Sequence, residues 1–250
     1  MNLFDLTEKV AIVTGGSRGL GRAMAVAYAK AGADVAIIDL DDSQETVAEI
    51  KALGKNAKGY AFDLLNFDKY DLLIQEIVAD FGTIDILLNN AGVQKRHPSV
   101  AFPKADWDFV MDVNCNAVFY LCQAVGKIFI EKGYGKIVNL ASMLSFQGGL
   151  TVPAYAASKS AVMGFTKSLS NEWAKLGINV NCIAPGYMDT EMNTAIKADE
   201  TRNRQILERI PAARWGTPTD LIGTAIYLSS GASDYVSGHT VAVDGGWLGR

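Results

Sequence analysis

Apolar residues along the chain fall into short unbroken runs separated by stretches with helical spacing. The runs Val10–Thr14 and residues 35–38, 84–88, 136–140 and 178–184 lack polar alternation and read as strands buried on both faces. Residues 58–62 form a weaker strand candidate, and Thr240–Val243 a short last one. Behind the first strand, Leu20, Ala23, Met24, Ala27 and Tyr28 recur at i, i+3, i+4, i+7 and i+8, the apolar stripe of a helix laid on a sheet. Similar spacing predicts helices over 43–53, 67–81, 107–131, 155–176 and Pro218–Ser229. Strand and helix alternate from start to finish, which implies βαβ crossovers and an α/β fold: a doubly wound parallel sheet with helices on both faces. With no linker, repeat or low-complexity segment, one domain is expected to fill residues 1–250. Residues 150–153 and 187–204 are less regular, and the second stretch is polar and long enough to serve as a lid.

Composition narrows the function classes. Hydrophobic residues make up 49% and charged residues 20%, enough for a sizeable core and against disorder. A net charge of −4 gives no general attraction to nucleic acid or to an anionic membrane. No run reaches the roughly 18 apolar residues of a membrane span. The first ten residues lack the basic and long apolar regions of a signal peptide, so a cytoplasmic protein is expected. Cys115, Cys122 and Cys182 show no CxxC spacing, and His97 and His239 are the only histidines. Neither a metal site nor a Ser-His-Asp triad has much to draw on.

The first chemical motif follows the first strand: Thr14-Gly15-Gly16-Ser17-Arg18-Gly19-Leu20-Gly21, with a helix opening inside it. A pyrophosphate needs a tight turn, close backbone approach and the free N–H groups of a helix start, and glycines allow the first two. Eighteen residues beyond Gly21, Asp39 closes the second strand. A carboxylate there can bind ribose hydroxyls and repel a 2′-phosphate, which favours NAD. Arg18 points the other way, since a guanidinium can pair with a 2′-phosphate, and NADP stays open. Either residue can also be simply solvated, Asp39 in a turn beside Asp41 and Asp42.

A second constellation lies in the middle of the chain. Tyr155 and Lys159 are four apart in a helical stretch and share a face. Moving a carbinol proton during hydride transfer needs an acid/base group, and a phenol is a weak base near neutrality. An ammonium about 5 Å away, at an effective dielectric of about 20, favours the phenolate by about 3 kcal/mol. Taken alone the pair is equally an aromatic and a lysine on a helix surface. Ser142 lies at the end of strand 136–140, thirteen residues before Tyr155. Strand C-terminal ends form the ligand crevice of an open parallel sheet, and a hydroxyl there can hold a substrate oxygen.

In combination and order, Thr14–Gly21 loop, Asn89-Asn90-Ala91-Gly92, Asn114, Ser142, Tyr155-x-x-x-Lys159 and Pro185-Gly186 resemble the short-chain dehydrogenase/reductase family over nearly the whole chain. The resemblance implies a Rossmann-type sheet of about seven strands, a bound nicotinamide cofactor and an assembly that is commonly a homotetramer. Tyr155 would be the general acid/base, Ser142 would polarise the substrate oxygen, Lys159 would bind the nicotinamide ribose, and Asn114 would hold a water in a proton relay. Cofactor contacts would come from Gly15, Ser17, Arg18, Gly19, Leu20, Gly21, Asp39, Asp63, Leu64, Asn90, Ala91, Gly92, Pro185, Gly186, Met188 and Thr190, with Asp63 at the adenine and Asn90 supporting the sheet. Asn89, Asn90 and Asn114 can also be buried amides tying loops together.

A narrower resemblance lies in the second half, in Ala141–Gly149 region, Asn171-Glu172-Trp173-Ala174-Lys175, Arg209-Ile210-Pro211-Ala212-Ala213-Arg214-Trp215-Gly216 and Val243-Asp244-Gly245-Gly246-Trp247-Leu248. These blocks resemble the 2-dehydro-3-deoxy-D-gluconate 5-dehydrogenase family, which acts on a six-carbon keto acid in pectin and uronate breakdown. Such a substrate carries a carboxylate that should meet a cation. Arg96 is the candidate, with Gln147 and Tyr187 as hydrogen-bonding neighbours, while Lys95-Arg96-His97 is otherwise a solvated basic turn. Gluconate 5-dehydrogenase and 3-oxoacyl-carrier-protein reductase activities are the nearest alternatives, and a non-catalytic nucleotide sensor on the same fold a remote one. Trp247 and Leu248 near the C-terminus are apolar residues that a monomer must expose or tuck in.

Overall fold

Unbroken apolar runs become central strands because both of their faces are covered. In the computed structural model, which describes residues 3–250 (and of Met192 the backbone alone), β1 (Val10–Thr14), β2 (Asp34–Asp39), β3 (Ala57–Ala61), β4 (Ile86–Asn89), β5 (Gly135–Leu140), β6 (Ile178–Pro185) and β7 (Thr240–Val243) form one sheet. Its order is β3-β2-β1-β4-β5-β6-β7, with every neighbouring pair parallel. Met1 and Asn2, the start of the segment tested above for a signal peptide, lie outside the described residues.

Side chains alternate across the sheet with a period of two. Ile12, Ala36, Ile38, Leu87, Ile137, Val180 and Cys182 pack with α3 (Tyr70–Phe81), α5 (Ala117–Lys132) and α6 (Pro153–Trp173) on one face. Ala11, Val13, Val35, Ile37, Leu88, Val138 and Ile183 pack with α1 (Gly19–Lys30), α2 (Gln44–Ala52) and α9 (Pro218–Ser229) on the other. Cys122 and Cys182 are fully buried members of the first core.

Two elements differ from expectation. The helix predicted over 107–131 starts earlier, as α4 (Lys104–Met111), and runs through a π-turn at Asp112–Asn116 into α5. This continuous Lys104–Lys132 stretch is long and apolar enough to cross a membrane, contrary to the sequence count. More than half of its most apolar window is buried inside the protein, where the sheet rather than lipid covers it. Finally, 187–204 is not irregular: it contains a 3-10 turn at Glu191–Asn193, α7 (Thr194–Ala198) and the first half of α8 (Glu200–Arg209). The polar surface of that segment masks its helical spacing, because only Ile206 of α8 is buried.

Candidate active site

Strand order reverses between β1 and β4, and a crevice opens beyond the C-terminal ends of strands at such a point. The loops there are braced together. Thr14 Oγ1 accepts from the N–H groups of Asn90 and Ala91, both at 3.0 Å, and Asn90 Nδ2 donates to the carbonyls of Thr14 (2.9 Å) and Gly15 (3.1 Å). Asn90's side chain is thus a brace, which leaves its backbone and those of Ala91 and Gly92 to line the crevice. Asn89 bonds Asn139 at 2.8 Å inside the core.

The glycine-rich turn has the shape a pyrophosphate needs. Gly15 and Gly19 adopt φ of 64° and 57°, a region that disfavours side chains. A Cβ on Gly21 would lie 2.0 Å from the Gly15 carbonyl oxygen, so that position admits only glycine. Space beside Gly19 is open. No side chain caps α1, and its first N–H groups face this space. The buried Ser17 hydroxyl has no partner among the described residues. These features fit a dinucleotide phosphate. Leu20 instead packs against the second core.

At the end of β2, Asp39 is held in place: its carboxylate accepts from Ser17 N–H at 2.9 Å and Asp41 N–H at 3.2 Å. Arg18 is exposed and paired with Asp41 (3.5 Å) and Glu191 (3.7 Å). Asp63 and Leu64 follow β3, next to Asp39, whose carbonyl takes the Phe62 N–H. On the far side of the crevice, Pro185 ends β6 and Gly186 packs against Asp244 so closely that a Cβ would clash. Met188 turns its side chain into the core, against Gly216, so only its backbone is available to a cofactor. Thr190 is half-buried before the Glu191–Asn193 turn.

Tyr155, Lys159, Ser142 and Asn114 come together between these loops. Lys159 is buried, its Nζ donating to the Leu140 carbonyl at 2.6 Å and lying 5.9 Å from the Tyr155 ring centre. Asn114, fully buried in the π-turn, donates to the Val93 carbonyl and accepts from its N–H, both at 2.8 Å. Asn114 therefore ties the loop after β4 to α5, as the loop-tying reading has it. Ser158 continues the chain of contacts, accepting from Asn114 at 3.3 Å and donating to the Tyr155 carbonyl at 2.8 Å. Ser142 caps the short turn Met143–Ser145 and reaches the phenol of Tyr155.

Electrostatics here depart from the helix-spacing argument. Burial pushes the Tyr155 phenol above its ordinary value, against pulls from the Ser142 hydrogen bond and the Arg96 charge. Burial also brings the Lys159 ammonium down to about 8, and its Nζ donates to the Leu140 carbonyl. The spacing put Tyr155 and Lys159 on one face, and the fold adds the Arg96 charge from the loop after β4.

Arg96 proves different from its neighbours. Lys95 and His97 both turn to Asp106, at 3.7 and 2.6 Å. Among the described residues Arg96 bonds only Gln94, at 3.1 Å, and lies close enough to Tyr155, Tyr187 and Arg202 for their charges to act on it. Tyr187 is wedged between Trp215 (5.3 Å) and Trp247 (4.9 Å) in a third apolar cluster with Met143, Ile206 and Ile210. Gln147 is not free: it accepts from Arg209 at 3.2 Å. Arg202, Arg209, Trp215 and Trp247 escaped the sequence reading as site residues. The stretch around Arg202 read as irregular, although Arg202, Ile206 and Arg209 already recur at helical spacing.

A Rossmann-type parallel sheet with a nucleotide turn at its reversal point and a tyrosine, lysine and serine beyond it defines a nicotinamide-dependent dehydrogenase. The model of the short chain dehydrogenase family matches residues 9–201, and the chain belongs to that family. It is an NAD(P)-dependent oxidoreductase acting on CH–OH groups. Among its relatives, the 2-dehydro-3-deoxy-D-gluconate 5-dehydrogenase of Dickeya dadantii is 50% identical, covering 100% of this chain and 99% of that one. The 5-keto-D-gluconate 5-reductase of Escherichia coli K12 is 42% identical over 99% and 98%. The crystal structure of a gluconate 5-dehydrogenase from Burkholderia cenocepacia, in complex with NADP and tartrate, superposes with a TM-score of 0.95 at 40% identity, covering 100% and 98%.

Proposed function

We propose that the chain interconverts 2-dehydro-3-deoxy-D-gluconate and its 5-keto product, in the uronate breakdown that follows pectin cleavage. The single observation that carries a sugar-acid substrate is Arg96, the one member of its basic turn that leaves Asp106 to its neighbours and lies close enough to Tyr155 for its charge to act there. A substrate carboxylate on Arg96 would set the carbinol beside Tyr155 and Ser142. A bound nicotinamide supplies the hydride acceptor or donor. Gly15, Ser17, Gly19 and Gly21 would hold its phosphates, Asp39 its adenosine ribose, and Lys159 its nicotinamide ribose. In oxidation Tyr155 first gives up its own proton, and the carbinol proton then passes to the phenolate Oη while Ser142 Oγ holds the substrate oxygen. In reduction Tyr155 returns that proton, which its phenol, raised by burial, still holds at neutral pH. Lys159, with its ammonium near 8, would pass the proton onward at Nζ.

Asp39, fixed by two N–H groups, and Arg18, already paired with two carboxylates, favour NAD over NADP. The NADP in the Burkholderia cenocepacia enzyme favours the other choice. We further take residues 1–250 to act as one domain, in the cytoplasm, as a homotetramer. The test is turnover with NADH and NADPH across 2-dehydro-3-deoxy-gluconate's 5-keto product, 5-keto-gluconate and a 3-oxoacyl thioester. The first keto acid with NADH should give the highest kcat/KM. A preference for the thioester would overturn the substrate, and a preference for NADPH the cofactor choice.

A further inference from the structure

Helix α8 (Glu200–Arg209) packs on the third apolar cluster, which also holds Met143, next to Ser142, and Tyr187. Arg202, Ile206 and Arg209 recur at i, i+4 and i+7 and share one face. Ile206 is buried with Met143, Trp215 and Trp247, and the Arg209 guanidinium sits 4.0 Å above the Trp247 ring. Beside Arg202, Asn203 accepts from Trp215 Nε1 at 2.8 Å. This face therefore looks onto the aromatic cluster that holds Tyr187, and Arg202 is half-buried there.

Arg202 is poorly compensated where it stands. Among the described residues it forms no ion pair, and its guanidinium bonds only the neutral Gln205, at 3.3 Å. It occupies the first turn of α8, where the helix field disfavours a cation, and its backbone N–H is taken by the Asp199 cap at 3.0 Å. Arg96, likewise without an ion pair among the described residues, lies close enough for the Arg202 charge to make its own less favourable. Two guanidinium groups brought together with no carboxylate between them are stabilised by an anion that bridges both.

We propose that Arg202 determines specificity by closing on the substrate carboxylate opposite Arg96, so that the two arginines clamp the acid group between the loop after β4 and helix α8. This rests on the sugar-acid reading above and adds to it a second cation from a different element. Binding of the acid would draw α8 over the reacting carbon, and a neutral sugar would leave it undrawn.

The test compares the keto acid with its methyl ester, and follows D-gluconate binding by the fluorescence of Trp215 and Trp247. Arg202→Ala should weaken D-gluconate binding and raise KM for the acid by about 10- to 100-fold. Turnover of the ester and cofactor affinity should hardly change. Arg202→Lys should restore part of the loss, because it keeps the charge and loses the paired donors. In a double variant with Arg96→Ala the two losses should be less than multiplicative, as for two groups on one carboxylate. If the parent enzyme discriminates acid from ester but Arg202→Ala leaves that ratio untouched, or harms both substrates equally, the clamp is overturned and the sugar-acid reading stands. A parent that treats acid and ester alike overturns both.

Discussion

At the scale of single residues, burial decides the chemistry. Tyr155 and Lys159 are ordinary side chains whose proton affinities are moved by where the fold puts them. Tyr155→Phe removes the group proposed to move the substrate proton while keeping the ring. It should bind cofactor normally and lose about 10²- to 10⁴-fold in kcat. A kcat within a few-fold of the parent would assign the proton to another group. Lys159 also links stability to pH. Its folded-state value is about 8 against an ordinary 10.5, so the unfolded chain binds this proton more tightly. Between those limits the unfolded state holds more protons and stability rises with pH. Below pH 8 the burial cost is fully present, about 3 kcal/mol. Lys159→Met should therefore gain on its parent most at pH 7 and least above pH 10, as followed by urea unfolding. A gap that does not change with pH would mean the ammonium is solvated.

At the scale of elements, the crevice is made by loops that pack backbone to backbone. Helix α1 approaches the turn after β1 so closely that Gly21 touches the Gly15 carbonyl. Gly21→Ala must move that carbonyl, and with it the Asn90 amide that also bonds there. An overpacked contact costs about 1–3 kcal/mol, and a chain of this size loses about 2–4 °C in Tm per kcal/mol. A Tm lower by a few degrees, together with at least tenfold weaker NADH binding, is expected in calorimetry and fluorescence titration. Unchanged binding would place the pyrophosphate elsewhere. The π-turn at Asp112–Asn116 is a second such device, since it swings Asn114 inward to hold Val93 within an otherwise regular helix.

At the scale of the whole molecule, the C-terminus settles one earlier choice. Trp247 is 5% exposed and tucked under Arg209, so it no longer argues for a partner subunit. Tyr120 and Ile130 on α5 remain partly exposed, at 41% and 43%. They belong to the helix whose other side fills the first core, and a second copy could cover them. Light scattering at micromolar concentration should give four times the mass of one chain. A monomer would refute the assembly.

How much of this was legible beforehand depends on range. Strand runs, helix stripes, the glycine turn and the Tyr155–Lys159 face follow from local periodicity and from residue types with few alternatives, so the sequence by itself determined the layered parallel fold and the candidate site residues that the fold brings together. Contacts between distant segments were not legible. Nothing local separates Arg96 from Lys95 and His97; Asp106 does so by taking two of the three. Nothing local makes 187–204 part of a site, because its polar helices gain their inward face only against Trp215 and Trp247. The electrostatic partner of Tyr155 is also a tertiary outcome. The same spacing that aligned Lys159 with it left open how deeply each would be buried, and charge interactions depend on depth and on the competing hydrogen bonds found there.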